Sequence, residues 1–146
     1  MSYFLQNMPR PEPNMDEEGF WQHCAQRKLV FQACVACGSP RHPPTPVCWK
    51  CRSTKHKWVE VTGEGEVFSY TEVHHALHDA VLERVPYAVV LVSFPELPGP
   101  RLVSNLTDID LAMVHIGMKV TLWWDDIGDG MYLPRFHAAG QGGSAR

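Results

Sequence analysis

Four cysteines define the chemistry this chain can do. Cys34-Val35-Ala36-Cys37 and Cys48-Trp49-Lys50-Cys51 are two Cys-x-x-Cys pairs with ten residues between them. A thiolate pair at this spacing bites one ion from a tight turn. Two such turns facing each other complete a sulfur tetrahedron, the geometry of structural zinc. Gly38, directly after the first pair, supplies the permissive backbone that such a turn needs. Four sulfur ligands leave no open position for water or substrate, so the expected site is closed and structural. Iron held by four thiolates uses the same ligands. A redox Cys-x-x-Cys would account for one pair and not for two, and disulfides would require an oxidising compartment. The first residues, MSYFLQNMPRPEP, lack the basic start and apolar core of a secretory signal. Cys24 is left over as a fifth, unpaired thiol. Both points fit a reducing cytoplasm, which is the expected location.

The elements that must position these cysteines are legible in outline. Residues 1–14 carry three prolines and little periodicity, which predicts an extended, mobile lead-in. Asn14 or Asp16 can cap a helix whose first turn carries Asp16, Glu17 and Glu18 and whose last turn carries Arg27 and Lys28. Phe20, Trp21 and Cys24 gather on one face of it, and Gly19 weakens it by about 1 kcal/mol relative to Ala. Cys24 there is expected to be a small buried hydrophobe. Leu29–Ala33 reads as a strand delivering the first Cys pair. Arg41-His42-Pro43-Pro44-Thr45-Pro46-Val47, with three prolines in seven residues, reads as a stiff connector to the second. His42 and His56 flank the cysteines and are expected to face solvent.

After the alternating Trp58–Val61 and the bend at Gly63-Glu64-Gly65, the character becomes all β. Glu66–His74, Tyr87–Phe94, Arg101–Leu106, Lys119–Trp124 and Tyr132–Phe136 are five candidate strands separated by turn signals. One helix-like insert, Asp108–His115, falls between the third and fourth. That layout is an OB-type barrel. The expected fold is therefore mainly β. It comprises an N-terminal extension and helix (1–28), a rubredoxin-like zinc ribbon (29–62), a five-stranded OB-fold domain (63–138) and a flexible tail (139–146).

Other constellations carry less chemistry. His74, His75 and His78 cluster after the first barrel strand near Asp79 and Glu83, and read as a polar loop on the rim where a partner or ligand would contact an OB barrel. Asp125, Asp126 and Asp129 surround a glycine turn and read as a solvated turn. Of Trp123 and Trp124, one is expected in the core and the other exposed or at an interface. No P-loop, Ser/His/Asp elbow or acid pair at catalytic spacing is present, so no catalytic residues are assigned. No apolar run approaches the ~20 residues of a membrane span.

Charge is distributed unevenly. Net charge is −3, yet Arg41, Lys50, Arg52, Lys55 and Lys57 lie between Cys34 and Lys57 with no acidic residue among them, leaving a net −8 elsewhere. Zinc ribbons and OB barrels both bind single-stranded nucleic acid, which is the rival reading. It would need a basic, aromatic-lined groove along the barrel strands, and the barrel here is acidic.

Taken together, several motifs resemble one family. They are Cys34-Val-Ala-Cys-Gly38; His42-Pro-Pro-x-Pro46-Val-Cys48-x-x-Cys51; Gly63-x-Gly65-x-Val67-x-Ser69-Tyr70; Val85-Pro86-Tyr87-Ala88-Val89; Ile116-Gly117-Met118-x-Val120; and Leu133-Pro134-x-Phe136. From about Phe20 to Ala138 the chain is similar to the acyl-CoA-associated zinc-ribbon/OB-fold family, domain of unknown function family 35. The resemblance implies a thiolase-fold partner in a hetero-oligomer that cleaves acyl-CoA esters by thiolysis or retro-aldol chemistry, with the catalytic groups on the partner. It also implies an accessory role in assembly and in shaping the CoA-side cavity, within aromatic or steroid breakdown by preference over polyketide or isoprenoid chemistry. Coenzyme A carries phosphates, which an acid-free basic module complements. Arg41, Lys50, Arg52 and Lys55, with the His74, His75 and His78 loop, are therefore the expected CoA or partner contacts.

Overall fold

The computed structural model describes residues 2–140, so most of the expected tail lies outside the described residues. A 3-10 turn at Met15–Glu17 leads into helix α1 (Glu18–Ala25). The ribbon follows, with β1 (Leu29–Cys34), β2 (Pro40–Arg41) and β3 (His56–Val61) in the antiparallel order β2-β1-β3. Five more strands close a barrel: β4 (Glu64–Val73), β5 (Tyr87–Ser93), β6 (Arg101–Leu106), β7 (Lys119–Asp126) and β8 (Tyr132–Ala138). Their order, β4-β5-β6-β8-β7, closes by pairing β7 with β4 and sets β6 parallel to β8, which is the OB arrangement. The expected insert between β6 and β7 is a single 3-10 turn at Leu111–Met113, capped by the Asp110 carboxylate accepting from Ala112 N at 3.0 Å.

Helix α1 stops short of Lys28 because Arg27 takes a left-handed conformation (φ 57°). Lys28 N then donates to His23 O at 2.9 Å and Arg27 N to Cys24 O at 2.8 Å, the paired bonds of a Schellman ending. Asn14 stands at the head of the first turn without a side-chain cap. Gly19, a weak helix former, is there for space: a Cβ at that position would sit 2.4 Å from Cζ2 of Trp58 on β3. Gly63 (φ 93°) makes the bend from ribbon to barrel where its Cα faces Leu122.

The core is one body. Phe20 and Cys24 from α1, Leu29 and Phe31 from β1 and the inward barrel residues Val67, Val90, Val92, Phe94, Val120 and Phe136 form a continuous buried cluster. Phe31 stacks 5.2 Å from Phe94, and Phe94 lies 6.1 Å from Phe136, so the ribbon is welded to the barrel through aromatic contact. Cys24 is 1% exposed, and burial pushes its thiol up to about 12, as suits an inert hydrophobe.

Two expectations are corrected and a third is refined. The N-terminal lead-in is anchored: Tyr3 N donates to the Asp125 carboxylate at 3.2 Å, Phe4 is buried against Tyr87, and Arg10 reaches Asp129 and the Gly128 carbonyl. Asp125 is not part of a solvated turn. Strand β7 runs on through Asp126, and Asp125 lies on the outer face of the barrel beneath the N-terminal arm, in a 2.6 Å ion pair with buried Arg135, whose Nη1 donates to Asn105 Oδ1 at 2.6 Å. Asp126 and Asp129 remain exposed. Trp123 and Trp124 alternate in facing as expected, but neither is fully buried or fully exposed. Both are partly buried, Trp123 donating to Thr107 Oγ1 at 2.9 Å and Trp124 packing on the core.

Removing one partner of a buried ion pair leaves the other charge uncompensated. Asp125→Ala is expected to lower stability by about 3–5 kcal/mol and to free the N-terminal arm. Denaturant unfolding measures the first, and limited proteolysis within residues 2–12 the second.

Candidate metal centre and an apolar cleft

The two Cys pairs lie on matching turns. Cys34 N donates to Ser39 O at 3.0 Å and Gly38 N to Cys34 O at 2.9 Å; Cys48 N donates to Ser53 O and Arg52 N to Cys48 O, each at 2.9 Å. Arg52 (φ 65°) therefore occupies in the second turn the left-handed position that Gly38 (φ 76°) fills in the first. Sequence alone hid this equivalence, because a long cation stands where glycine is the easy choice.

The four Sγ atoms lie within 4.8 Å of one another. Cys34 and Cys51 are 3.5 Å apart and Cys37 and Cys48 3.6 Å. A tetrahedron with Zn–S bonds of about 2.3 Å has edges of about 3.8 Å, so the donor set fits the ion. Hydrogen bonds from the side chain and amide of Ser39 draw the Cys37 thiol down to about 6. At Cys51 the Ser53 amide pulls the same way, but contact with Cys34, burial and the other two sulfurs outweigh it and push the thiol up to about 11. Four thiolates this close cannot all ionise without a cation between them, which is the charge a divalent ion supplies. Cys34 and Cys48 are buried, Cys37 and Cys51 exposed.

The expected contact residues divide into separate groups. Lys50, Arg52 and Lys55 are exposed around the second turn, beside Trp49, which is 73% exposed. Arg41 is only 7% exposed and is no surface cation. Its Nη2 donates to Thr45 O at 3.1 Å, because the proline-rich connector folds back over β2. His42 is corrected for the same reason. It packs between Phe20 and Phe31 at 5.1 and 5.3 Å, and burial lowers its pKa to about 4. His56 does face solvent. His74, His75 and His78 are exposed on the β4–β5 loop, His74 against Glu72 at 3.1 Å and His78 capping a 3-10 turn through Ala80 N at 3.0 Å.

A feature absent from the sequence reading is a cleft of about 890 Å³ between the N-terminal arm, α1, the connector and the outer face of the barrel. Phe4, Trp21, Pro44, Val89, Leu91 and Val103 line it. Its signal was present in β5, where Tyr87–Val92 is apolar without alternation; such a strand needs cover on both faces.

Paired metal-binding turns fused through one core to a closed OB barrel define the class: a zinc-ribbon/OB-fold protein. The chain belongs to the DUF35 family of ChsH2-type proteins. Residues 21–57 match the family model of the ChsH2 rubredoxin-like zinc ribbon domain, and residues 58–125 that of the ChsH2 C-terminal OB-fold domain. A DUF35 domain-containing scaffold protein of Methanocaldococcus jannaschii is 31% identical over 68% of this chain and 70% of its own length. The 3-oxo-4,17-pregnadiene-20-carboxyl-CoA hydratase alpha subunit of Mycobacterium tuberculosis is 37% identical over 84% of this chain. A probable enoyl-CoA hydratase alpha subunit of Thermomonospora curvata is 42% identical over 90%. The chain spans only 38% and 40% of those two subunits. Among solved structures, a chain described as Ltp2-ChsH2(DUF35) aldolase superposes with a TM-score of 0.81 at 42% identity, covering 89% of this chain and 99% of that one. A DUF35 protein of Sulfolobus solfataricus, at 23% identity and a TM-score of 0.60, shares the fold. Zinc is thus the ion that the family indicates, and the donor set fits it. Among the described residues no helix is long and apolar enough to cross a membrane.

His42 gives a pH signature. Its folded pKa of about 4 lies below the ordinary 6.5, so the unfolded chain binds the proton first as pH falls. Its stabilising contribution is complete above 6.5 and is lost between 6.5 and about 4; that amounts to about 3 kcal/mol at most. His42→Phe is expected to flatten this part of the stability–pH curve. Denaturant unfolding at several pH values checks it, and parallel curves for parent and variant would contradict it.

Proposed function

We propose that the chain is an accessory zinc-ribbon/OB-fold subunit of a hetero-oligomer that cleaves acyl-CoA esters by retro-aldol or thiolytic chemistry. In this reading a thiolase-fold partner carries the reacting groups, and the substrates belong to steroid or aromatic breakdown. The observation that carries it is the near end-to-end match, 99% of the solved chain at 42% identity, to a protein described within an Ltp2-ChsH2 aldolase. The solved chain that this match spans is described within an aldolase, which is why cleavage is the activity proposed.

The surface chemistry agrees with that role. The metal turns carry Lys50, Arg52 and Lys55 in solvent with no acidic neighbour in sequence, a surface able to receive the phosphates of coenzyme A or an acidic patch of the partner. Arg41 leaves this set because it is buried. The His74, His75 and His78 loop is a second candidate contact at the barrel rim, and the apolar cleft is the concave surface that a partner segment or acyl arm would cover.

Two measurements test this. The chain is co-expressed with a thiolase-fold protein encoded beside it, and acyl-CoA cleavage is assayed with and without it. The pair is expected to co-purify, with cleavage requiring both; a chain that purifies alone and leaves cleavage unchanged overturns the reading. Within the complex, Arg52→Gly removes the cation while fitting the left-handed backbone, and is expected to raise KM for acyl-CoA several-fold. An unchanged KM at low and high salt removes Arg52 from the site.

A further inference from the structure

Arg41 is the ribbon residue that neither fold nor family explains. Its Nε and Nη1 are sealed from solvent without a hydrogen-bond partner among the described residues, and Nη2 alone is engaged. Arginine does not shed its proton in proteins, so this is a buried, permanent cation. No carboxylate pairs with it among the described residues, and none occurs in sequence between Cys34 and Lys57. Such a charge is costly unless something nearby of opposite sign offsets it.

Its place in the fold is between the segments that carry the four sulfurs. Arg41 pairs with Gln32 across β2 and β1, one strand away from the segment that ends in the ligand Cys34. Its guanidinium holds Thr45 O, and Thr45 N donates to Gln32 Oε1 at 2.8 Å. Thr45 begins the run into Cys48. Arg41 therefore bridges the two segments that deliver the metal turns. Four thiolates around a divalent ion carry a net charge of −2. The geometry points to Arg41 as the internal counter-cation of the metal tetrathiolate: a positioning residue that offsets the sulfur charge from inside, where water does not screen it. Lys50, Arg52 and Lys55 are exposed and screened, and do this poorly. The inference is independent of any partner or substrate.

The test uses the full zinc-loaded chain in competition with a chromogenic chelator, with cobalt substitution as a second readout. Arg41→Gln keeps a donor for Thr45 O without the charge, and Arg41→Lys keeps the charge without the fork. Arg41→Gln is expected to lose about 10- to 100-fold in zinc affinity, as for other residues that support metal ligands. Arg41→Lys retains most of it, and exposed Arg52→Gln changes it less than about fivefold. In the cobalt form, the sulfur-to-metal charge-transfer band moves to longer wavelength in Arg41→Gln and not in Arg41→Lys, a shift that loss of the Thr45 contact alone would not produce. Zinc held as tightly by Arg41→Gln as by the parent, or lost equally from both Arg41 variants, overturns the inference.

Discussion

Four thiolate sulfurs held within 4.8 Å of one another are the constraint on which the ribbon depends. Like charges at that separation repel, and the thiol of Cys51 is pushed to about 11 where Cys37 is drawn to about 6. A divalent ion converts this conflict into a binding free energy on the order of 10 kcal/mol, which a module of this size cannot obtain from burial alone. The duplicated turns, the left-handed Gly38 and Arg52 and the connector pinned by Gln32 and Arg41 all serve to present sulfur at one point. The site is closed, so the ion organises the chain and does not react.

What the metal organises is attached to the barrel by packing. Phe31 leaves the ribbon sheet to meet Phe94, and Gly19 lets α1 approach Trp58. The outer barrel face is unusually apolar for an exposed sheet. Part of it is sealed by the N-terminal arm through Tyr3, Phe4 and the Asp125–Arg135 pair, and the rest forms the floor of the cleft. The surface is concave and partly apolar, and the cations of the metal module sit apart from the acidic barrel, which suits the accessory role proposed for it.

Much of this was legible in the residues. Cysteine spacing picked out the four sulfurs that the fold gathers, because that arrangement depends on local turns. Barrel strands were legible because inward residues such as Val90 and Val92 in β5 sit between turn signals, and Arg101–Leu106 is placed to the residue. The errors share a cause. Arg27 ends α1 through backbone bonds that no propensity reports. Arg41, His42 and Asp125 are polar residues that ordinary statistics put in water. Each is covered by chain outside its own segment: Arg41 by the connector that follows it, His42 by Phe20 and Phe31, and Asp125 by the N-terminal arm. The cleft went unread for the opposite reason: apolar Val89 and Leu91 look like core, and only the closed barrel shows that they face out.

The metal tetrathiolate thus holds the ribbon folded, beside an OB barrel that keeps its own packing. Hydrogen exchange measured by mass spectrometry on the zinc-loaded chain, and again after zinc is removed by a chelator under reducing conditions, tests it directly. Amides of β1–β3 and the connector are expected to lose protection while those of β5 and β6 keep theirs. Ribbon amides that stay equally protected without the metal would contradict it.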